Sequence, residues 1–403
     1  MKFYIKTLGC KLNQSESDSL KDKLVNYGHK QSEIDRADFL ILNACSVTQF
    51  ATNKSINIIN KYKTNKNGKI VVMGCLDKKF LNKVDYVVKN KENVFAELKS
   101  KFKLVKLARP LKGPDITRNR AQIKIQTGCD NFCSYCIIPY FRGKPRSFTT
   151  SQIIKEIKAT EKKGINEIVL TGVNICKYKS GGLDLTGLVK NILAETKIPR
   201  IRLGSLDPAL IDFKFINLFK NKRLMPSWHL SLQSGSNNIL KSMNRKYTTQ
   251  QYFDLTKKAL KINKNFLFTT DVIVGFPGET KKNFQETIKF VRNVRFLKIH
   301  VFPYSIRPNT KAGLMTDQIP ENIKKQRSRE LRETSLALTE KFISKNLSKR
   351  HLVLLEGERD GYWFGYTENF IRIKYKSLEN LRDQIKDLKI TRKNVEIKHY
   401  QAL

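Results

Sequence analysis

The chain has 403 residues, enough for two to four domains, and 40% of them are apolar, enough for packed cores. Its 77 Lys and Arg against 36 Asp and Glu leave a net charge of +41, a field that attracts polyanions, so nucleic acid is the expected partner rather than a bland solvated surface. An AT-rich coding sequence would account for Lys over Arg but not for so few acids. There is no run of about eighteen apolar residues and no basic amphipathic helix, which argues against a membrane span or a membrane-surface role. Met1–Lys6 reads as a strand without a signal-peptide core, so the expected location is cytoplasmic and reducing. In that compartment the seven cysteines are read as metal ligands or catalysts rather than disulfides.

Residues 1–112 alternate short apolar runs with helical patterns, the signature of a parallel sheet. Strands are expected at Phe3–Leu8, Asp38–Leu42 and Lys69–Met73, with helices from about Ser15 to Tyr27 and Thr48 to Tyr62. Each strand runs straight into a cysteine: Cys10, Cys45 and Cys75. The carboxyl edge of an open α/β sheet is where ligands bind, so three thiols there can converge on one point despite their wide spacing. Isolated buried cysteines placed by chance are the competing reading.

Residues 108–120, rich in Pro, Gly and charge, read as a linker. A second βα series follows within 113–340, with strands at Gln122–Gln126, Glu167–Leu170, Arg200–Gly204, His229–Leu232, Thr269–Val274 and Lys298–Phe302. Six units predict a partial (β/α)6 barrel, with active residues at the carboxyl ends of its strands. Glu321–Leu347 reads as one charged helix. From residue 345 to 403 the pattern becomes short β runs (Leu352–Glu356, Tyr362–Tyr366, Phe370–Tyr375, Ile385–Thr391), a small all-β barrel of OB-like kind. The fold class is therefore α/β with a β module at the end.

The strongest local signal is Cys129-Asp130-Asn131-Phe132-Cys133-Ser134-Tyr135-Cys136, directly after the first barrel strand. Three thiolates on one loop can hold three irons of a four-iron cluster and leave the fourth open, which a reactive metal needs. A structural zinc site would want a fourth ligand, and the five histidines are all distant in sequence. A thioredoxin-type dithiol fits Cys133-x-x-Cys136 but leaves Cys129 unexplained.

This loop resembles the radical-SAM signature, and Gln126-Thr127-Gly128-Cys129 through Cys136-Ile137-Ile138-Pro139-Tyr140-Phe141-Arg142-Gly143 resembles the tRNA methylthiotransferases within that superfamily. So do Gly9-Cys10-Lys11-Leu12-Asn13-Gln14, Glu167–Asn174, Leu230–Ser236 and Asp271–Thr280. Gly361–Arg372 resembles the family's RNA-binding TRAM module in a short, diverged form.

The resemblance implies two [4Fe-4S] clusters. One is held by Cys129, Cys133 and Cys136 and binds S-adenosylmethionine, whose cleavage yields a 5′-deoxyadenosyl radical. The other, held by Cys10, Cys45 and Cys75, carries or delivers sulfur. It implies that Tyr135 lies against the adenine side of S-adenosylmethionine and that Thr171-Gly172 contacts its amino group; an ordinary tight turn needing glycine is the alternative for the latter. The turn Gly275–Gly278 is expected either to border S-adenosylmethionine or to be a plain turn. Cys176 matches no ligand position and reads as a spare thiol. The reaction implied is transfer of a methylthio group to C2 of an adenosine in tRNA, with flavodoxin or ferredoxin as electron donor. An aromatic C–H is not acidic, so no side-chain acid or base would serve.

Lys11 after the first cysteine, Arg200–Ser205 and His300–Ser305 resemble the type acting on N6-threonylcarbamoyladenosine-37. A cationic pocket would suit the carboxylate of that group, although Lys11 is equally readable as a surface residue. The alternatives are the same chemistry on N6-isopentenyladenosine-37, a non-catalytic RNA-binding iron–sulfur protein, and a cysteine-based redox or zinc protein.

Overall fold

Three apolar runs near the amino terminus pair side by side as parallel strands. In the computed structural model, which describes residues 1–65, 68–75, 82–89, 93–106 and 120–397, the chain forms two compact units. One is Met1–Thr117 with Tyr140–Arg142; the other is Arg118–Pro139 with Gly143–Leu403. Apart from Arg120, the expected linker lies outside the described residues.

The first unit carries a five-stranded parallel sheet in the order Lys30–Gln31, Lys2–Thr7, Phe39–Ala44, Lys69–Gly74, Tyr86–Val87. Side chains alternate between the faces. Phe3, Ile41 and Val71 pack on Leu20 and Leu24 of the helix Lys11–Asn26, whereas Leu40, Leu42, Ile70 and Val72 pack on Ile59 and Tyr62 of the helix Gln49–Asn65. The two edge strands span two residues each and gave no sequence signal. The first helix starts directly after Cys10, not at Ser15: extended Cys10 is its N-cap, and the Gln14 N–H closes the first turn on the Cys10 carbonyl.

The second unit contains six consecutive parallel strand positions: Arg120–Lys124, Glu167–Thr171, Arg200–Leu203 running on as Ser205–Leu206, Ser227–Leu230, Leu267–Val274 and Phe296–Pro303. They form the expected partial barrel, wrapped by helices whose apolar faces share one core with Ile123, Ile168, Ile201, Leu230, Val272 and Ile299. The fourth strand ends at Leu230, short of the expected Leu232. Tyr247 donates to the Ser231 and Leu232 carbonyls, and Gln233 turns left-handed at φ 68°.

The long helix Glu321–Ser344 leads to an antiparallel sheet ordered Arg372–Lys376, Tyr362–Thr367, Arg350–Arg359, Ile385–Lys389. This curled half-barrel packs Val353, Leu355, Trp363, Ile371 and Ile373 against Phe342 and Ile343 of the helix. It also binds the amino ends of the barrel strands. Arg200 donates to the Tyr366 and Thr367 carbonyls, Arg202 to those of Thr367 and Glu368, and both are paired to buried Glu167. Arg200 and Arg202, part of a segment that pointed to the substrate type, thus hold the C-terminal sheet.

Candidate active site and metal centres

In the first unit, Ala44 pairs with Gly74, so Cys45 and Cys75 follow neighbouring strand ends, and the Cys75 N–H donates to the Ala44 carbonyl. Cys10 joins them through Gly9. That glycine has φ +98°, and a Cβ on it would lie 2.8 Å from Cys45 Cβ. Asn13 clamps the junction, donating to the Leu8 and Ala44 carbonyls and accepting from the Cys10 thiol at 3.6 Å. Burial pushes the Cys45 thiol up to about 11, with the neighbouring Cys75 and Cys10 adding to the shift. Arg142, in the segment that packs within this unit, forms a buried ion pair with Glu16 at 2.8 Å and donates to Asn13 Oδ1. These three thiols sit where the strand-end reading expected them. Arg142 and Glu16 were missed as contributors.

In the second unit the 129–136 loop is held from several sides. Gly128 has φ +77°, and a Cβ there would fall 2.1 Å from the Lys144 carbonyl. The Cys129 N–H donates to the Gly143 carbonyl, and the Cys136 N–H to that of Cys133. Buried Gln126 ties the loop to the next strand end, donating to the Thr127 and Gly128 carbonyls while its Oε1 accepts from the Val173 and Asn174 N–H groups. Asp207, just past another strand end, accepts from Asn131, Asn174 and Arg245. Arg245 donates to Cys133 Sγ at 3.3 Å and lies over the Tyr247 ring. Burial raises the Cys129 thiol and takes Cys136 up to about 12, so without a bound cation both are protonated at neutral pH.

Gly128→Ala combines a left-handed strain of about 1–3 kcal/mol with a backbone collision. It is expected to lower the urea midpoint and distort the cysteine loop. An unchanged midpoint would show that the loop tolerates the side chain.

As they stand, the thiols are not drawn together for zinc. A tetrahedral zinc with Zn–S near 2.3 Å brings its sulfurs to about 3.8 Å from one another. Among the described residues, no three cysteines bring their sulfurs within 4.8 Å.

Tyr135 packs against the cluster of Ile239, Met243, Phe276, Tyr304 and Ala312. Thr171 is buried, and a Cβ on Gly172 would lie 2.8 Å from the Gln126 carbonyl, so this glycine serves close backbone approach. The Gly275–Gly278 turn is tied down by Glu279, which accepts from the Gly275 N–H and from Arg327. Cys176 packs on the barrel core and accepts from the Asp207 N–H; burial pushes its thiol to about 12. Asp207 and Arg245 went unnoticed in the sequence. The strand-end rule would have flagged Asp207, but nothing local marks Arg245.

The radical SAM superfamily matches residues 123–291, and the uncharacterized protein family UPF0004 matches residues 2–95. The threonylcarbamoyladenosine tRNA methylthiotransferase MtaB of Aquifex aeolicus is 35% identical over 402 residues, covering 93% of this chain and 96% of that protein. The chain belongs to the radical-SAM tRNA methylthiotransferases. The protein of the same name from Chlamydia pneumoniae is 35% identical over 93% of this chain and 91% of its own. The tRNA-2-methylthio-N(6)-dimethylallyladenosine synthase of Endomicrobium trichonymphae is 33% identical over 92% of each. Among solved structures, the radical S-adenosylmethionine methyltransferase TsrM from Kitasatospora setae shares the fold at TM-score 0.57 and 13% identity, over 78% of this chain and 75% of that one. Membership in this radical-SAM family of methylthiotransferases implies S-adenosylmethionine and a [4Fe-4S] cluster. Among the described residues no helix is long and apolar enough to cross a membrane.

Proposed function

We propose that this methylthiotransferase modifies C2 of N6-threonylcarbamoyladenosine-37 in tRNA, using two [4Fe-4S] clusters. The observation that carries the reading is the gathering of two cysteine triplets at strand ends, one in each compact unit. Cys129, Cys133 and Cys136 are the ligands of the S-adenosylmethionine cluster; Cys10, Cys45 and Cys75 are those of a second, sulfur-supplying cluster. When bound, the clusters and S-adenosylmethionine supply one-electron chemistry able to functionalise an aromatic C–H that no side-chain base could deprotonate.

The chain's own contribution is position and charge. Gln126 and Asp207 fix the loop, and Arg245 donates to Cys133 Sγ. Helix Lys11–Asn26 points its positive end at Cys10. Tyr135, Thr171 and Gly172 are the proposed S-adenosylmethionine contacts. Residues 1–112 form the sulfur-cluster domain, 113–340 the radical core and 345–403 the TRAM-like tRNA-docking module. The net charge of +41 suits tRNA, a flavodoxin or ferredoxin supplies electrons, and the setting is cytoplasmic.

Threonylcarbamoyl rather than isopentenyl specificity rests on the Cys10-Lys11 and His300–Ser305 segments. The dimethylallyl-type relative from Endomicrobium trichonymphae keeps the second substrate in view. Nucleoside mass spectrometry of tRNA from cells with and without the gene tests this. Loss of 2-methylthio-N6-threonylcarbamoyladenosine is expected. Loss of the isopentenyl counterpart refutes the substrate, and no change in either refutes the activity.

A further inference from the structure

The strand Leu267–Val274 alternates fully buried residues with half-buried ones. Phe268, Val272 and Val274 enter the core beneath the helices, so Thr269 and Asp271 face the barrel lumen. Parallel register carries the same face across its neighbours. His229 pairs with Thr269, Thr269 with Lys298, and Asp271 with His300. The result is a polar wall on three adjacent strands. His229 Nε2 lies 3.1 Å from Asp271 Oδ2, its Nδ1 lies 3.0 Å from Thr269 Oγ1, and the His229 and His300 rings stand 5.8 Å apart. Hydrogen-bonding atoms of His229, Asp271 and His300 all fall within 4.8 Å of one another.

This wall is linked to the cysteine loop through a chain of contacts. The Asp271 carbonyl accepts from the Gln233 N–H, just beyond the carboxyl end of the His229 strand. Tyr247 bonds the Ser231 and Leu232 carbonyls of that same segment, and it sits under Arg245, which donates to Cys133. Two imidazoles stand beside one carboxylate here, and the Thr269–Lys298 register puts Lys298 on the same face of the sheet. Such a set favours an anionic, hydrogen-bonding guest over a second cation. An apolar guest would strip water from these polar groups and return no hydrogen bonds, which costs free energy.

Resting on the substrate reading above, we propose that His229, Asp271 and His300 bind the N6 substituent of the target adenosine: a ureido group bearing a carboxylate. His300 and Lys298 serve its oxygens, and Asp271, held by His229, accepts from its N–H groups or hydroxyl. The site thereby selects against an isoprenoid chain.

The test compares Kd of the reconstituted full chain for one tRNA carrying N6-threonylcarbamoyladenosine-37 and for the same tRNA with unmodified A37. The ratio is the readout, because a general loss of tRNA binding moves both values. Wild type is expected to prefer the modified tRNA at least tenfold. His300→Leu and His229→Leu should bring the ratio within about twofold, and His300→Gln should keep part of it. A ratio unchanged in both Leu variants overturns the proposal. So does one equivalent of non-iron divalent metal that disappears in His300→Leu, which would make the triad a metal site. Wild type that methylthiolates only isopentenylated tRNA overturns the substrate reading as well, and that control separates the two failures.

Discussion

Replacing Glu167 by Gln is expected to destabilise the second unit by about 3–5 kcal/mol, the usual cost of removing one partner from a buried ion pair. Glu167 is 1% exposed and receives Arg202 Nε at 2.7 Å and Arg200 Nε at 2.8 Å, with Arg120 Nε at 3.9 Å. Burial works against its charge, yet Arg202, Arg200 and Arg120 together outweigh burial and hold the carboxyl below its ordinary value. Gln keeps the shape and leaves the buried guanidiniums without that anion. These guanidiniums also bond the carbonyls of residues 366–368, so the C-terminal sheet should loosen first. The checks are urea unfolding, for the lost stability, and limited proteolysis, for cleavage after residue 345. Asp387→Asn breaks the exposed Arg350–Asp387 pair, whose side chains are 63% and 51% accessible, and should move stability by less than about 1 kcal/mol. Equal effects from the two variants would remove the special role given to the buried cluster. The acid response has a definite sign. With the folded carboxyl below its unfolded pKa, the Glu167 contribution is complete above the unfolded value of about 4.3 and fades as pH falls through the lower folded value.

The buried cluster leaves no trace in the local sequence pattern. Glu167, Arg200 and Arg202 lie on strands whose other residues, Thr171 apart, are apolar, and alternation alone turns them into the barrel. Nothing in one dimension says that the bottom of that barrel is capped by residues 366–368, nearly two hundred positions on. The strands themselves were legible because β-branched runs between turn residues constrain the period strongly. The strand-end positions of Cys10, Cys45 and Cys75 were legible because the apolar runs before them mark where each strand stops. Contacts between residues far apart in the chain were not: Arg245 with Cys133, Asp207 with Asn131, and His229 with Asp271 all depend on how the barrel closes. Edge strands of two residues, Lys30–Gln31 and Tyr86–Val87, are too short to carry a period at all.

Cys133→Ala and Cys45→Ala are expected to fail in different ways, and the difference tests the two-centre assignment. Cys133 belongs to the second compact unit and Cys45 to the first. A lesion in one triplet should therefore leave the folding of the other intact. Cys133→Ala should abolish reductive cleavage of S-adenosylmethionine, read as 5′-deoxyadenosine released with dithionite, and with it all product. Cys45→Ala should still release 5′-deoxyadenosine while forming no methylthio product. Anaerobic iron analysis should fall from about eight irons per chain to about four in either variant, since each four-iron cluster depends on its three thiolates. Cleavage surviving in Cys133→Ala would remove the role given to the 129–136 loop. Full product from Cys45→Ala would show that the strand-end thiols of the first unit are not the source of sulfur. If zinc replaced iron in the wild-type chain, both readings would fall together. A zinc ion would need the thiolates of a triplet drawn to about 3.8 Å from one another, closer than any three cysteines among the described residues stand.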